Sequence, residues 1–322
     1  MIEENPGLFL NYSHTRFIFI GFPEIYKYRH LLFVPFFAMY IVVLVGNLFI
    51  LYVIKQSESL HSPMYVFISA LSFVDIVVPT AIIPKMLLSF LFDWNGISLA
   101  GCLIQMFVIH FFSSLESTIL LVMALDRLVA ICNPLRYNDI VNSSMFLKLC
   151  IFTIIRSGSI MSSLVILAHP LSFCRSNVIN HCYCDHMALV SLACDNTTKN
   201  DIMGLVVILV FVVGDISVIV FSYIRILKAV LSATSAEERW KAFHTCGTHL
   251  IVMLFFYLTG TVAFLAHNLR IAIPTDAHTF LGVMYIVLPA SVNPIIYGVR
   301  TKEIRNAIIK IFRVKNKTDI LK

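Results

Sequence analysis

The sequence predicts an all-α membrane protein, built as a seven-transmembrane helix bundle with an amphipathic eighth helix. Three observations lead to this fold class. The 322 residues are 59% hydrophobic and only 13% charged, with a mean hydropathy of +0.87, whereas about a quarter of the residues in soluble domains are charged. The apolar residues form seven segments, each long enough to cross a bilayer as a helix of about 20 residues. Basic residues cluster at the ends of these segments.

The seven apolar segments define the expected bundle. They run over residues 29–54, 61–91, 99–126, 146–168, 201–230, 241–267 and 278–299. The second contains Pro63, Pro79 and Pro84, so it is expected to start at a proline or to be kinked. The chain then divides into an extracellular N-terminus (1–28), the bundle (29–299) and a cytoplasmic eighth helix with a tail (300–322).

The stretch TKEIRNAIIKIFRV follows the last apolar segment and predicts the eighth helix. Its apolar residues stand at 304, 308, 309, 311 and 312, with basic residues between them. Such a pattern is typical of a helix that lies on the membrane surface, and it predicts membrane lipid as a partner.

The distribution of basic residues predicts the orientation. With the C-terminus in the cytoplasm, 16 of the 24 Lys and Arg residues fall on that side, as the positive-inside rule requires. Seven spans then place the N-terminus outside, together with glycosylation sequons at Asn11 and Asn196. We expect a multi-pass protein of the plasma membrane. The net charge of +6 does not indicate nucleic acid, because the basic residues sit at segment ends.

The ionisable residues Asp75, Glu116, Arg156 and Asp215 lie well inside apolar runs. Such residues are costly in a bilayer, and they either pair structurally or mark a functional site. Asp75 is a plausible partner for Glu116, and two facing carboxylates need a cation or a shared proton. Glu116 is eleven residues from both Gln105 and Arg127, which places all three on one face of the third helix.

The cysteines indicate a disulfide that ties a loop to the bundle. Cys102 opens the third helix, and Cys174, Cys182, Cys184 and Cys194 follow the fourth. Extracellular cysteines this close together are expected to be oxidised. Five cysteines leave one over, and the residues alone do not say which. Cys132, Cys150 and Cys246 are expected to be free thiols.

Five motifs carry a resemblance to a known family. They are PMYVFISALSFVD (63–75), MALDRLVAICNPLRY (123–137), SY (222–223), KAFHTCGTHL (241–250) and NPIIYGVRTKEIR (293–305). In this order they resemble rhodopsin-type G-protein-coupled receptors, and more specifically olfactory receptors. KAFHTCGTH, the long loop after the fourth helix and VRTKEIR are similar to the class I branch, which is tuned largely to acids and other polar odorants.

The resemblance implies an odorant receptor that activates a stimulatory, olfactory-type G protein and raises cAMP. Asp126 would hold Arg127 at rest and release it towards the G protein, with Pro134 ending the helix. Leu128 departs from the family, where most members have Tyr. The resemblance also implies activation roles for the following residues: Tyr223, His249, Asn293, Pro294 and Tyr297.

The resemblance further implies two disulfides, Cys102–Cys184 and Cys174–Cys194, which would leave Cys182 unpaired. It also assigns Asp75 and Glu116 to a sodium site, in agreement with the carboxylate pair noted above. No cofactor is expected apart from this sodium ion.

The resemblance also implies that the ligand binds in the outer half of the bundle, between helices 3, 5 and 6. The matching positions are His110, Phe111, Ser114, Val213, Tyr257, Thr261 and Phe264. Many class I members carry Arg directly after the His of the outer sixth helix, where this chain has Asn268, with Arg270 two residues later. An inward Arg270 would favour a carboxylate ligand; otherwise His267 and Asn268 favour an alcohol, aldehyde or ketone.

Rival classes find less support. The seventh segment has no Lys for a retinal Schiff base, and residues 102–115 contain no acid of the kind an amine receptor carries. A transporter would show paired repeats and broken helices, and an enzyme would show a nucleophile–base or metal motif; neither is visible. A transporter and a non-olfactory chemosensory receptor remain the alternatives.

Overall fold

The computed structural model describes residues 13–232, 235–268 and 274–320. Eight long helices make up most of this part of the chain. They are α1 (Phe33–Gln56), α2 (Pro63–Phe92), α3 (Leu99–Cys132), α4 (Ser143–Ala168), α5 (Thr198–Leu231), α6 (Ala236–Asn268), α7 (Thr275–Arg300) and α8 (Lys302–Ile320). Helix α5 is interrupted by a π-helical segment, Ile208–Gly214. The short helices are Tyr26–Leu32, Glu58–Leu60, Pro134–Arg136, Tyr137–Ile140 and His186–Val190.

The helices follow the predicted apolar segments closely. Within the described residues, six helices are long and apolar enough to cross a membrane, and α6 contains a shorter apolar stretch, Cys246–Val262. Helix α2 begins at Pro63, as expected, and continues through its two inner prolines. Helix α3 runs to Cys132, beyond the predicted end at 126, because residues 128–132 continue the apolar segment after Arg127 and remain half-buried. The protein is therefore a multi-pass membrane protein.

Packing places α3 at the centre of the bundle, against α2, α4, α5 and α6, while α1 packs against α2 and α7. Helices α4 and α5 turn large apolar side chains outwards, including Ile155, Ile166 and Phe221, each more than half exposed. A water-soluble protein would not tolerate so much exposed apolar surface. Lipid covers it without cost, so the exposure agrees with a membrane location.

Glycine allows α1 and α7 to touch. A Cβ atom on Gly46 would lie only 2.8 Å from Cγ of Pro294, so a larger residue would push the helices apart. The neighbouring Asn47 is fully buried and donates through Nδ2 to the carbonyl of Ala290, at 2.9 Å. This hydrogen bond fixes the rotation of α1 against α7.

The N-terminal segment forms a strand that the sequence did not reveal. Strand β1 (Arg16–Phe19) pairs antiparallel with β2 (Gly96–Ser98) and parallel with β3 (Val178–Ile179). Alternation along β1 buries Phe17 and Phe19 and exposes the residues between them. The strand is only four residues long, which is too short for its pattern to stand out from a loop. It connects the N-terminal segment to two loops at one end of the bundle.

Two disulfides hold the same end, which is called the disulfide end below. Cys102 is bonded to Cys184 and Cys174 to Cys194, with Cα separations of 5.4 and 5.8 Å. Both expected bridges are confirmed. Cys182 is the cysteine left over, and it is buried beside Gly21, whose φ is +67°. The thiols of Cys132, Cys150 and Cys246 are also free, as expected.

Candidate functional site

A large cavity opens into the bundle at the disulfide end. Its volume is about 710 Å³, within the range of small-molecule sites. Helices α3 to α7 and the loop between α4 and α5 form its walls. The apolar part includes Ile109, Leu164, Ile208, Phe211, Val212, Phe256 and Ile286. The polar part consists of His110, Ser113, Ser114, Ser117, His181, Tyr183, Asp185, His186, Asp201, Tyr257, Thr261, His278 and Tyr285.

Four of the predicted ligand positions line this cavity: His110, Ser114, Tyr257 and Thr261. His110 carries a buried Nε2 atom with no hydrogen-bond partner among the described residues. Leaving a buried polar atom unpaired costs about 1–3 kcal/mol. A ligand in the cavity could provide the missing partner.

Two predicted positions do not line the cavity. Phe111 stacks on Phe107 with ring centroids 5.5 Å apart and lies beside Gly158 of α4, away from the interior. Val213 is 52% exposed on the outside of α5, and Val212 lines the wall instead. The π-helical turn shifts which side chain faces inwards, and no pattern in the sequence predicts that turn.

The remaining predictions at this end lie outside the described residues. These are the side chains of Phe264, His267 and Asn268, all of Arg270, and the sequon residue Asn11. Asn196, the second sequon, is exposed just before α5, and its Oδ1 accepts from the N–H of Thr198 at 2.9 Å.

The loop after α4 forms a lid over the cavity. The Cys102–Cys184 bridge ties it to α3, and Gln105 Oε1 accepts from the N–H of Cys184 at 3.0 Å. On the other side, His181 lies against α7, where a Cβ on Gly282 would be 2.7 Å from its Nε2. The lid is thus held between α3 and α7 and contributes its own side chains to the cavity wall.

Asp185 directly follows the bridged Cys184 and faces the cavity. Its Oδ2 accepts from the N–H groups of Met187 and Ala188, at 3.0 and 3.2 Å, and so caps the short helix His186–Val190. Burial alone would raise the pKa of the Asp185 carboxyl. The imidazoles of His110 and His181 and the Ala188 N–H outweigh burial and hold this pKa below its ordinary value. Asp185 is therefore an ionised group in the wall.

A buried ion pair lies beneath the cavity. Arg156 of α4 donates from Nη2 to Asp215 Oδ1 at 2.6 Å, and from Nη1 to Asp215 Oδ2 at 3.2 Å. The guanidinium also donates to Thr118 Oγ1 and to the carbonyl of Val210, both at 2.9 Å. The Val210 carbonyl is available because the π-helical segment Ile208–Gly214 widens the helix.

This ion pair is connected to the cavity wall. Ser117 donates to Asp215 Oδ2 at 2.6 Å, and its Oγ lies 3.0 Å from the hydroxyl of Tyr257. Both Ser117 and Tyr257 line the cavity. Arg156, Asp215, Ser117 and Tyr257 therefore form one hydrogen-bonded network, called the floor network below, that joins α3, α4, α5 and α6.

A second, small cavity of about 10 Å³ contains the predicted carboxylate pair, Asp75 and Glu116. Asp75 Oδ2 accepts from Asn293 Nδ2 at 3.0 Å, whereas Asp75 Oδ1 and Glu116 Oε1 have no partner among the described residues. Oxygen ligands of this kind fit a small hard cation, and the volume suits one ion or water. The cavity shares four wall residues with the large one: Ser113, Phe256, Tyr285 and Ile286.

The motif at the other end of α3 forms an ion pair between neighbours. Arg127 Nη2 lies 2.9 Å from Asp126 Oδ2, and the hydroxyl of Tyr137 donates to Asp126 Oδ1 at 2.7 Å. Both carboxylate oxygens are thus occupied. Burial, followed by the bond to Asp126, raises the pKa of Tyr137, so its hydroxyl stays a donor at physiological pH. Pro134 opens a short helix just after α3 ends.

Comparisons with known proteins decide which family these features belong to. The sequence profile of the olfactory receptor family matches residues 36–315. Olfactory receptor 52K2 of Homo sapiens is 40% identical over 302 residues, which is 94% of this chain and 96% of that protein. Olfactory receptor 51E1 of Homo sapiens is 39% identical over 302 residues, which is 94% and 95% of the two chains.

The chain belongs to the olfactory receptor family. It falls in the class I branch, as its motifs indicated. Squid rhodopsin has the same fold, with a TM-score of 0.72 at 19% identity over 89% of this chain and 86% of that chain. The protein is therefore an odorant-sensing G-protein-coupled receptor and not a transporter or an enzyme.

The receptor also carries buried polar atoms close to Arg127. The Tyr223 and Tyr297 hydroxyls and both ring nitrogens of His249 have no partner among the described residues. The rings of His249 and Tyr297 have centroids 6.2 Å apart. Unpaired buried groups call for ordered water or for partners in another conformation. These are three of the residues to which the family resemblance assigns a rearrangement.

Sequence reasoning missed several residues of this receptor's site. Arg156 and Asp215 stood out as intramembrane charges, but one cation among three acids could pair with any of them. Asp185, His181 and His278 lie in loops or at a helix start, where one-dimensional patterns predict only exposure. The acid directly after a bridged cysteine was the one available signal, because the bridge itself brings it to α3.

Proposed function

We propose that this receptor binds a small odorant in the 710 Å³ cavity and activates a stimulatory G protein, which raises cAMP. The location of the binding site rests on one observation. His110 Nε2 is buried without a hydrogen-bond partner among the described residues, in a wall made of apolar and hydrogen-bonding side chains. One polar head on a short hydrocarbon body would pair with His110 and fill the space against Phe211, Val212 and Phe256.

The proposed orientation places the disulfide end outside the cell and α8 in the cytoplasm. The charge distribution supports it, since 16 of the 24 Lys and Arg residues fall on the side of the membrane that carries α8. Disulfides persist on the oxidising side of the membrane, which favours the same orientation. The exposed basic residues Lys302, Arg305 and Arg313 on α8 would then face the lipid headgroups.

The floor network provides a route from the cavity to the far end of the bundle. A ligand that contacts Tyr257 competes with the 3.0 Å contact between Tyr257 and Ser117. Weakening this contact loosens α6 from α3. Movement of α6 would change the surroundings of Arg127 and allow it to leave Asp126 and contact the G protein, for which its permanent charge and planar donors are suited.

Asp75 and Glu116 would stabilise the resting conformation around a sodium ion. The two unpaired oxygens and the 10 Å³ cavity support this assignment. A sodium ion there would neutralise two carboxylates that otherwise repel each other. Because the two cavities share walls, a ligand that moves Tyr285 or Phe256 also changes the space beside the carboxylates.

The test is an odorant screen in cells that carry a cAMP reporter. An active odorant should lose at least tenfold in potency in His110→Ala, which removes the unpaired imidazole. The matched control is Val213→Ala, because Val213 points away from the cavity and should respond like wild type. A response that is lost equally in both variants, or that persists without Arg127, would contradict the proposal.

A further inference from the structure

The electrostatic character of the cavity points to its ligand class. Two carboxylates, Asp185 and Asp201, belong to the wall, and the described lining contains no Lys or Arg. Asp201 lies at the exposed start of α5, whereas Asp185 lies within the lid. The remaining polar wall groups are hydroxyls and imidazoles. An anion that enters the described cavity therefore meets a negative wall in a medium of low dielectric, where repulsion is strong.

The lid brings Asp185 to the part of the bundle where an amine receptor carries an acid on its third helix. Residues 102–115 contain no acid, yet the Cys102–Cys184 bridge anchors the next residue, Asp185, beside α3. Gln105 reinforces this position through its bond to the Cys184 N–H. Asp185 and His110 line the same cavity, so the loop supplies the charge that the helix lacks.

The two backbone hydrogen bonds that Asp185 accepts fall on one of its oxygens. Oδ2 accepts both N–H groups of the short helix it caps. An ionised carboxylate has about four acceptor sites, so further capacity remains on a wall of the cavity. His110 Nε2 adds a second acceptor or donor nearby, which has no partner in the described structure.

We propose that the cavity recognises a small protonated aliphatic amine, whose ammonium group binds Asp185 and whose hydrocarbon body packs against Leu164, Phe211, Val212 and Phe256. This inference rests on the proposed function of the cavity as the odorant site. An ammonium group offers three donors, which suit the Asp185 carboxylate and the His110 imidazole together. Charge-assisted hydrogen bonds of this kind are about twice as strong as neutral ones.

The experiment compares three ligands with the same carbon chain: hexylamine, hexanol and hexanoic acid. Binding is measured as ligand-induced thermal stabilisation of the purified receptor, and signalling as cAMP in cells. The key variant is Asp185→Asn, because Asn is as good a helix cap as Asp and keeps the lid folded. Asp185→Ser is a second variant with a capping side chain. Glu24→Gln removes a carboxylate at the same end but outside the cavity.

The expected result is that hexylamine binds more tightly than hexanol and hexanoic acid. Asp185→Asn and Asp185→Ser should weaken hexylamine at least tenfold, while hexanol changes less than threefold. Glu24→Gln should bind all three like wild type. Hexylamine binding without a cAMP response would leave this inference standing and overturn the proposed signalling.

Other outcomes would overturn the inference itself. These are equal or tighter binding of hexanoic acid, undiminished hexylamine binding in Asp185→Asn, and no binding of any of the three. Arg270→Ala tests the alternative that the cavity binds a carboxylate ligand instead of an amine. Selective loss of hexanoic acid binding in that variant would assign the cavity to acids, and the cAMP readout would still test its role in signalling.

Discussion

The Oγ atom of Ser117 lies 3.0 Å from the hydroxyl of Tyr257, and this contact joins α3 to α6 at the floor of the large cavity. Ser117 also bonds Asp215, which is paired with Arg156. The wall that would contact a ligand is thus continuous with a buried ion pair. Four helices share this one network.

The ion pair is expected to be essential for folding. Asp215→Asn leaves the Arg156 guanidinium without its counter-charge in the bundle interior, and breaking a buried pair costs about 3–5 kcal/mol. Surface expression and thermal stability of the purified receptor should both fall sharply. The double variant Arg156→Met with Asp215→Asn removes both charges and should recover part of the loss. A double variant less stable than Asp215→Asn alone would contradict a pairing role.

The contact between Ser117 and Tyr257 is expected to restrain the resting receptor. Tyr257→Phe removes one hydroxyl and keeps the ring. The resting conformation therefore loses about 1 kcal/mol of stabilising free energy, the net contribution of one hydrogen bond. Basal cAMP, normalised to surface expression, should rise up to about fivefold, which is the population shift such an energy produces. Val213→Ala is the control, because it changes α5 without touching the network. Unchanged basal cAMP in Tyr257→Phe would argue against the restraint.

Arg127 and Tyr137 are expected to have opposite effects on signalling. Arg127→Ala should abolish the G-protein response while surface expression stays measurable, since its charge serves the partner and not the fold. Tyr137→Phe removes one of the two bonds on Asp126 and should raise basal cAMP, because the restraint on Arg127 weakens. The measurement is a dose–response curve with expression controls. Full signalling by surface-expressed Arg127→Ala would refute the assignment.

The sodium site is expected to make resting stability depend on salt. Sodium should raise the thermal stability of the ligand-free receptor more than the bulkier cation N-methylglucamine at equal ionic strength. Glu116→Gln, which keeps the shape but removes the charge, should reduce this difference and lower the sodium dependence of basal cAMP. Asp75→Asn should act in the same way. An unchanged sodium response in both variants would make the two acids purely structural.

The two neighbouring cysteines of the lid offer a matched comparison. Cys184→Ala removes the bridge to Cys102, and losing a native disulfide typically costs about 2–5 kcal/mol. Cys182→Ala removes a buried free thiol of the same size and should cost less, about 1 kcal/mol for the lost packing. Surface expression should therefore fall far more in Cys184→Ala. Equal losses in the two variants would mean that the bridge adds little to the fold.

The sequence by itself determined the seven spans, the amphipathic α8 and the family, and the family resemblance in turn implied the two disulfide pairings. These features depend on apolar length and on contiguous motifs, both of which are visible in one dimension. The sequence also predicted that Asp75 pairs with Glu116, because each stands out as a charge inside an apolar run.

Only the tertiary structure decided the pairing of Arg156 with Asp215, because a lone cation among three acids has no unique partner until the helices are packed. The wall of the cavity was decided in the same way. The π-helical turn placed Val212 in the wall instead of Val213. Packing turned Phe111 towards α4, and the Cys102–Cys184 bridge brought Asp185 into the interior. Side-chain direction and loop position follow from long-range contacts, and these contacts leave no local pattern in the sequence.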